Sequence, residues 1–192
     1  MKSIAIVTDS AASVPPELAE AAQLEIVPVG IQFDNQFHRE GIDITSEEFY
    51  AKLASKETLT TSQPSPGDFL DVYNSLINKA KEIISIHITA KQSGTVQVAE
   101  VIKEHIPIPI TVVDSESASM GQGFIALAAA KAALRGCSRE EILEIIERVK
   151  QKTTVFVAVP TLKYLARSGK VSRIQAFVAS LITMKPILGV RN

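Results

Sequence analysis

The side chains able to do chemistry in this sequence are small and mostly uncharged, and they fall in four places. Thr8-Asp9-Ser10 closes one apolar run and Thr89-Ala90-Lys91-Gln92-Ser93-Gly94-Thr95 closes a second. Asp114-Ser115 closes a third, and Thr60-Thr61-Ser62-Gln63-Pro64-Ser65-Pro66 stands apart. These segments offer small hydroxyl and amide donors, with two aspartates. Ser93-Gly94-Thr95 is the sharpest of them. A serine where a helix begins turns its hydroxyl and the free N–H groups of Gly94 and Thr95 toward one space, where the helix dipole also favours negative charge. The competing reading is that Ser93 only caps its own helix. No histidine base is paired with it, so nucleophilic catalysis lacks its partner. The two prolines of 60–66 stiffen that stretch and hold its hydroxyls in one orientation; an ordinary loop is the alternative.

Other chemistries lack their residues. His38, His87 and His105 are scattered and have no metal-ligand spacing. His87 lies within an apolar run and reads as a satisfied core imidazole. No strand is followed by G-x-G-x-x-G, and there is no P-loop lysine, so no cofactor is expected. Gly121-Gln122-Gly123 opens an Ala-rich helix without a third glycine and reads as close packing. Lys163, Arg167, Lys170 and Arg173 read as solvated charges, although the glycine of Arg167-Ser168-Gly169-Lys170 could turn a cation inward.

The chain that must position these groups has 192 residues, 46% hydrophobic and 21% charged, with a formal net charge of −1. That hydrophobicity excludes disorder, and the balanced charge leaves no surplus cation for nucleic acid. Cys137 is the only cysteine, so no internal disulfide staples the fold. No apolar stretch reaches the roughly 20 residues of a membrane span, and Met1–Asp9 is too short for a signal h-region. A soluble cytoplasmic protein is the expectation.

Short β-branched runs at 4–7, 83–88, 110–113 and 155–159 are continuously apolar, which suits parallel strands covered on both faces. Helical patterns at 15–23 (with Ser13 near the cap), 66–81, 94–105, 121–134 and 139–152 separate them. Ser138-Arg139-Glu140-Glu141 has capping-box spacing, and Ser65-Pro66 starts a helix with proline at its preferred first position. Residues 24–38, with Pro28, read as an edge strand feeding a hairpin, and 55–67 as a loop. The expected fold class is α/β, a mostly parallel sheet flanked by helices. A break at 150–154 divides an N-terminal domain, 1–152, from 153–192, the opening of a second α/β domain that about 40 residues cannot complete.

At these residues the sequence resembles the DegV family of bacterial fatty-acid-binding proteins. Thr8-Asp9-Ser10 is similar to the family's T-D-S, and Gly41-Ile42-Asp43-Ile44 with Phe49-Tyr50 to its D-G-x-D-I…F-Y. Thr61-Ser62-Gln63-Pro64-Ser65 is similar to T-S-Q-P-S, Ser93-Gly94-Thr95 to S-G-T, and Asp114-Ser115 with Gly121-Gln122-Gly123 to D-S…G-x-G. Leu162-Lys163-Tyr164-Leu165 with Gly169-Lys170-Val171 follows L-x-Y-L…G-R-I, and Lys185-Pro186-Ile187-Leu188 follows K-P-I-L. The motifs come in one order along the whole chain.

The resemblance implies a carrier rather than a free-standing enzyme. A long-chain fatty acid would lie between two domains and be presented to a separate fatty-acid kinase, which makes an acyl phosphate for phospholipid synthesis. Thr61 and Ser93, with Gly94 and Thr95, would hold the carboxylate. Asp9, Ser10, Ser62, Asp114, Ser115 and Lys170 would line or support the pocket. Lys170 stands where the family usually has Arg, so a bidentate contact is lost there. Family members are longer, and the part beyond this chain carries much of the tunnel wall and a histidine near the carboxylate. If the chain is a truncation, impaired binding is expected. Two alternatives stay open: a phosphoryl-transfer enzyme related to dihydroxyacetone kinases, for which neither a nucleotide site nor a strand-end histidine is visible, and a regulatory interaction module with an exposed apolar patch.

Overall fold

The computed structural model describes residues 2–33, 36–54, 59–159 and 187–190. Four strands, β1 (Lys2–Asp9), β2 (Glu25–Val27), β6 (Ala80–His87) and β7 (Ile110–Asp114), form a parallel sheet in the order β2-β1-β6-β7. The continuous apolarity of β1 and β6 has the expected cause. Ile4, Ile6, Ile84 and Ile86 pack on one face against α1 (Pro16–Ala22), α5 (Met120–Leu134) and α6 (Arg139–Lys152). Ala5, Val7 and Ile83 pack on the other against α3 (Pro66–Leu76) and α4 (Thr95–Lys103). Helices cover both faces, so the middles of β1 and β6 are apolar apart from the buried Ser85.

The helix starts follow their cap chemistry. Ser65 and Ser138 each form a complete capping box, with Asp68 and Glu141 as the reciprocal partners. Gly121 and Gly123 are packing glycines, as their spacing suggests. A methyl on Gly121 would overlap Ser117 and Val155, and one on Gly123 would lie 2.8 Å from the Ala12 carbonyl. α5 is therefore seated directly on the 3-10 turn (Ser10–Ala12) that follows β1.

Several expectations are corrected. Ser13 does not cap α1; it lies in the left-handed region at the end of the 3-10 turn, and α1 starts after Pro15 with no side-chain cap. α3 stops at Leu76, and Ala80 already opens β6, because the apolar pattern at 76–83 serves two elements. The stretch 55–67 is not all loop. Leu59–Ser62 is a strand, β5, antiparallel to β3 (Gly30–Phe33), which also pairs with β4 (Gln36–Arg39). Its hydroxyl-rich composition hid a strand whose outer face is exposed. This small sheet has its own core of Ile31, Phe33 and Ile44, flanked by Phe49 of α2 (Ser46–Ala54). Finally, β8 (Val155–Ala158) is antiparallel, paired with β9 (Ile187–Val190), and most of its residues are exposed. Its apolar run is not that of a central parallel strand.

Candidate functional site

Strand order decides where a ligand can enter. β1 connects through α1 to its neighbour on one side, β2, while β6 connects through α4 to its neighbour on the other, β7. The loops after β1 and β6 thus leave in opposite directions and open a crevice at the carboxyl ends of the sheet, the usual ligand position in such folds. Asp9 and Ser10 stand at one lip and Thr89–Gly94 at the other.

Asp9 is fully buried and organises the crevice floor. Its Oδ1 accepts the Ala11 N–H at 3.1 Å, shaping the 3-10 turn. Its Oδ2 accepts the Ile88 N–H and Gln122 Nε2–H and lies against His87 Nδ1, each at 3.0 Å. Gln122 donates from the same nitrogen to Thr8 Oγ1, also at 3.0 Å. The Asp114 carboxylate accepts from Ala90 N–H (3.1 Å) and Glu116 N–H (2.7 Å). Ser115 exchanges bonds with Ser117, whose carbonyl accepts the Thr89 N–H. The backbone amides of residues 88, 89 and 90 are therefore tied in turn to Asp9, Ser117 and Asp114. Both sequence-selected aspartates hold the loop that delivers Ser93; their carboxylates face protein donors.

At the end of that loop, Ser93 does not cap its helix. The N-cap of α4 is Gly94, with no side-chain cap bond. The Ser93 hydroxyl instead lies 2.8 Å from that of Thr95, which is fully buried. The paired hydroxyls sit beside the N–H groups of the first turn of α4, which no intrahelical carbonyl can accept.

The small sheet closes over this lip. Ser10 Oγ accepts the Val29 N–H at 2.9 Å and donates to Glu40 at 2.5 Å, binding the turn after β1 to both ends of the β3–β4 hairpin. On the other side the Gln63 side chain lies flat across Gly94. A methyl placed there would meet its Oε1, Cδ and Nε2 at 3.2, 3.3 and 3.4 Å. Gln63 follows β5 directly, so this contact brings the exposed Thr61 and Ser62 strand up to the Ser93 turn. Ser62 packs over Gly30, which has no side chain to obstruct it.

Of the residues selected from sequence, Asp9, Ser10, Ser93, Gly94, Thr95, Asp114 and Ser115 lie at the carboxyl end of the parallel sheet, while Thr61 and Ser62 reach it only through the next residue, Gln63, on Gly94. Lys170 lies outside the described residues. His87 is a satisfied core imidazole, as read from its apolar surroundings. It is fully buried, with Phe69 edge-on at 5.2 Å and both ring nitrogens bonded, and is not offered to a phosphoryl group. Sequence reasoning did not single out Gln63 or Gln122. Each is a lone amide inside a segment chosen for its neighbours, and only tertiary contact reveals its use. No helix among the described residues is long and apolar enough to cross a membrane.

Comparison with known proteins places this geometry in context. Residues 3–192 match the family described as "Uncharacterised protein, DegV family". A DegV domain-containing protein of Caldanaerobacter subterraneus subsp. tengcongensis is 35% identical over 189 residues, 98% of this chain and 68% of that protein. A solved DegV family protein from Thermus thermophilus, described as fatty acid binding, superposes with a TM-score of 0.87 at 36% identity, covering 100% of this chain and 68% of the other. A stearic acid-binding protein from Eubacterium ventriosum superposes with a TM-score of 0.88 at 26% identity, covering 97% and 67%.

Proposed function

Because the chain belongs to the DegV family, we propose that it binds a long-chain fatty acid at the crevice between β1 and β6. The carboxylate is held by the hydroxyls of Thr61 and Ser93 and by the first-turn amides of Gly94 and Thr95. The observation that carries this reading is the Gln63 amide lying across Gly94. It draws a hydroxyl-bearing strand and a helix start, from two different sheets, to one lip.

Neutral donors are well suited to this ligand. Charge-assisted bonds from hydroxyls and amides are roughly twice as strong as neutral ones, and they avoid burying a counter-ion whose desolvation would offset its attraction. A carboxylate held by the ends of its donors keeps an oxygen available for phosphorylation. The protein accordingly acts as a carrier. It presents the carboxylate to a separate fatty-acid kinase, itself supplies no cofactor, and leaves phosphoryl transfer to that partner. The acyl tail needs an apolar enclosure, and the division proposed is a first domain, 1–152, followed by the start of a second, lipid-enclosing one, 153–192. Each buried methylene contributes about 0.8 kcal/mol.

Native mass spectrometry after delipidation and incubation with palmitate tests the ligand. One bound palmitate per chain is expected. Thr61→Ala and Ser93→Ala should each lower affinity about tenfold, the worth of one hydrogen bond to a charged group, with an unchanged circular dichroism spectrum. A wild-type protein that stays ligand-free sinks the proposal. Addition of the kinase, ATP and hydroxylamine tests presentation, because an acyl phosphate is trapped as the hydroxamate.

A further inference from the structure

We propose that His87 positions the Ser93 turn through Asp9, held as the Nδ1–H tautomer by a one-way chain of hydrogen bonds that begins at Tyr73. The role in ligand binding rests on the fatty-acid reading above; the tautomer does not.

The chain runs Tyr73 Oη, Ser85 Oγ, His87 Nε2 and then His87 Nδ1 to Asp9 Oδ2, with separations of 2.9, 2.7 and 3.0 Å. All four residues are completely buried, so every proton must find its acceptor inside the chain. Among the described residues the Tyr73 hydroxyl has one hydrogen-bond partner, Ser85, and donates to it. Burial in the core pushes the phenol well above its ordinary range, which keeps that proton in place. The Ser85 hydroxyl, already accepting from Tyr73, has His87 Nε2 as its remaining partner and donates to it. Nε2 is thereby the acceptor, and the ring proton sits on Nδ1, directed at Asp9. A proton on Nε2 would give Ser85 two donors and leave its own hydrogen without an acceptor among these groups.

Asp9 is the common acceptor: His87, Ile88 N–H and Gln122 converge on Oδ2, and Ala11 N–H reaches Oδ1. The imidazole fixes the same oxygen that holds Ile88, the first residue of the loop leading to Ser93. The ring is pinned from behind by Phe69, and the carbonyl of His87 accepts the Ser115 N–H. A shift of the imidazole therefore moves the Asp9 oxygen and, with it, the start of the ligand-binding turn. This is the arrangement by which an outer partner orients an inner ligand-holding group.

Side-chain nitrogen NMR of uniformly labelled protein reads the tautomer directly, with His87 assigned from its absence in His87→Asn. A protonated Nδ1 and a bare Nε2 are expected; the opposite tautomer overturns the chain. For the positioning role, His87→Asn puts an amide N–H near the place of Nδ1, whereas His87→Gln puts its amide near Nε2. Palmitate affinity should stay within about threefold of wild type in His87→Asn and fall about tenfold or more in His87→Gln. Amide exchange of Ile88, Thr89 and Ala90 should quicken in His87→Gln alone. Equal losses in both variants, or unchanged exchange, overturn the positioning role. If neither variant folds, Tyr73→Phe removes only the first oxygen and should shift the His87 Nε2 resonance; no shift overturns the chain. A wild type that binds no palmitate defeats the fatty-acid reading, while the tautomer and exchange results still decide the chain.

Discussion

At the scale of single residues, glycine and amide side chains decide the lip of the crevice. Gly94 has φ −78° and ψ 9°, a conformation open to any residue, so its value lies in the space above it. In Gly94→Ala the new methyl would press on the Gln63 amide at 3.2 Å. Because Gln63 is an exposed, flexible side chain, it can give way, and stability should change by less than about 0.5 kcal/mol. Fatty-acid affinity is expected to fall several-fold as β5 loses its tie to α4. Thermal melts and palmitate titration separate the two effects. Adding Gln63→Ala should cost nothing further, since coupled residues do not add. Independent, additive losses would break the link between Gln63 and Gly94.

At the scale of elements, the small sheet carries half of the proposed site. Its central strand, β3, has Gly30 opposite Ser62 and Arg39. A methyl on Gly30 would overlap both the Ser62 hydroxyl and the Phe37 ring, and a strand paired on both sides cannot slide away. Gly30→Ala should therefore destabilise by about 1–3 kcal/mol, the usual cost of overpacking, as measured by urea denaturation. The turn after β4 has an electrostatic signature. Arg39 donates to Asp43 through its side chain and its backbone N–H, which together hold the Asp43 carboxyl at about 2, from an ordinary 3.8. A depressed carboxyl stabilises the fold above its unfolded value and loses that contribution as the pH falls through the folded one. Asp43→Asn should thus be less stable than wild type above about pH 4, with the difference vanishing toward pH 2. The pair is solvent-exposed, so the difference should be small and shrink further in salt.

At the scale of the whole molecule, the division proposed near residue 152 can be tested on the first core alone. Among the described residues, the three apolar clusters draw their members from between Ile4 and Val149. By contrast, Phe156, Val157 and Ile187 of the β8–β9 pair are exposed at 65%, 40% and 69%. A first domain with a closed core should fold without the second. Residues 1–152 expressed alone are expected to give a cooperative thermal transition and dispersed amide spectra, and to bind palmitate far more weakly than the whole chain. A fragment without a cooperative transition would show that the second part is needed for the first core.

The sequence by itself determined the parallel sheet, the capped helices and the hydroxyl segments that meet at one edge. These depend on local period and on side-chain chemistry, both written along the chain. Asp9, Thr61, Ser93 and Asp114 were legible because a strand's carboxyl end, a proline-stiffened segment and a helix start are local signals. Tertiary structure alone decided that 59–62 is a strand, that β8 is antiparallel, and that Ser93 bonds Thr95 instead of capping. It also decided that Gln63 lies on Gly94, that Gln122 bonds Asp9, and that Tyr73, Ser85 and His87 form one buried row ending at Asp9. The reason is physical: a hydrogen bond between residues 78 positions apart, such as His87 to Asp9, leaves no trace in the spacing of either residue's neighbours. It exists because two parallel strands lie side by side and end at the same edge.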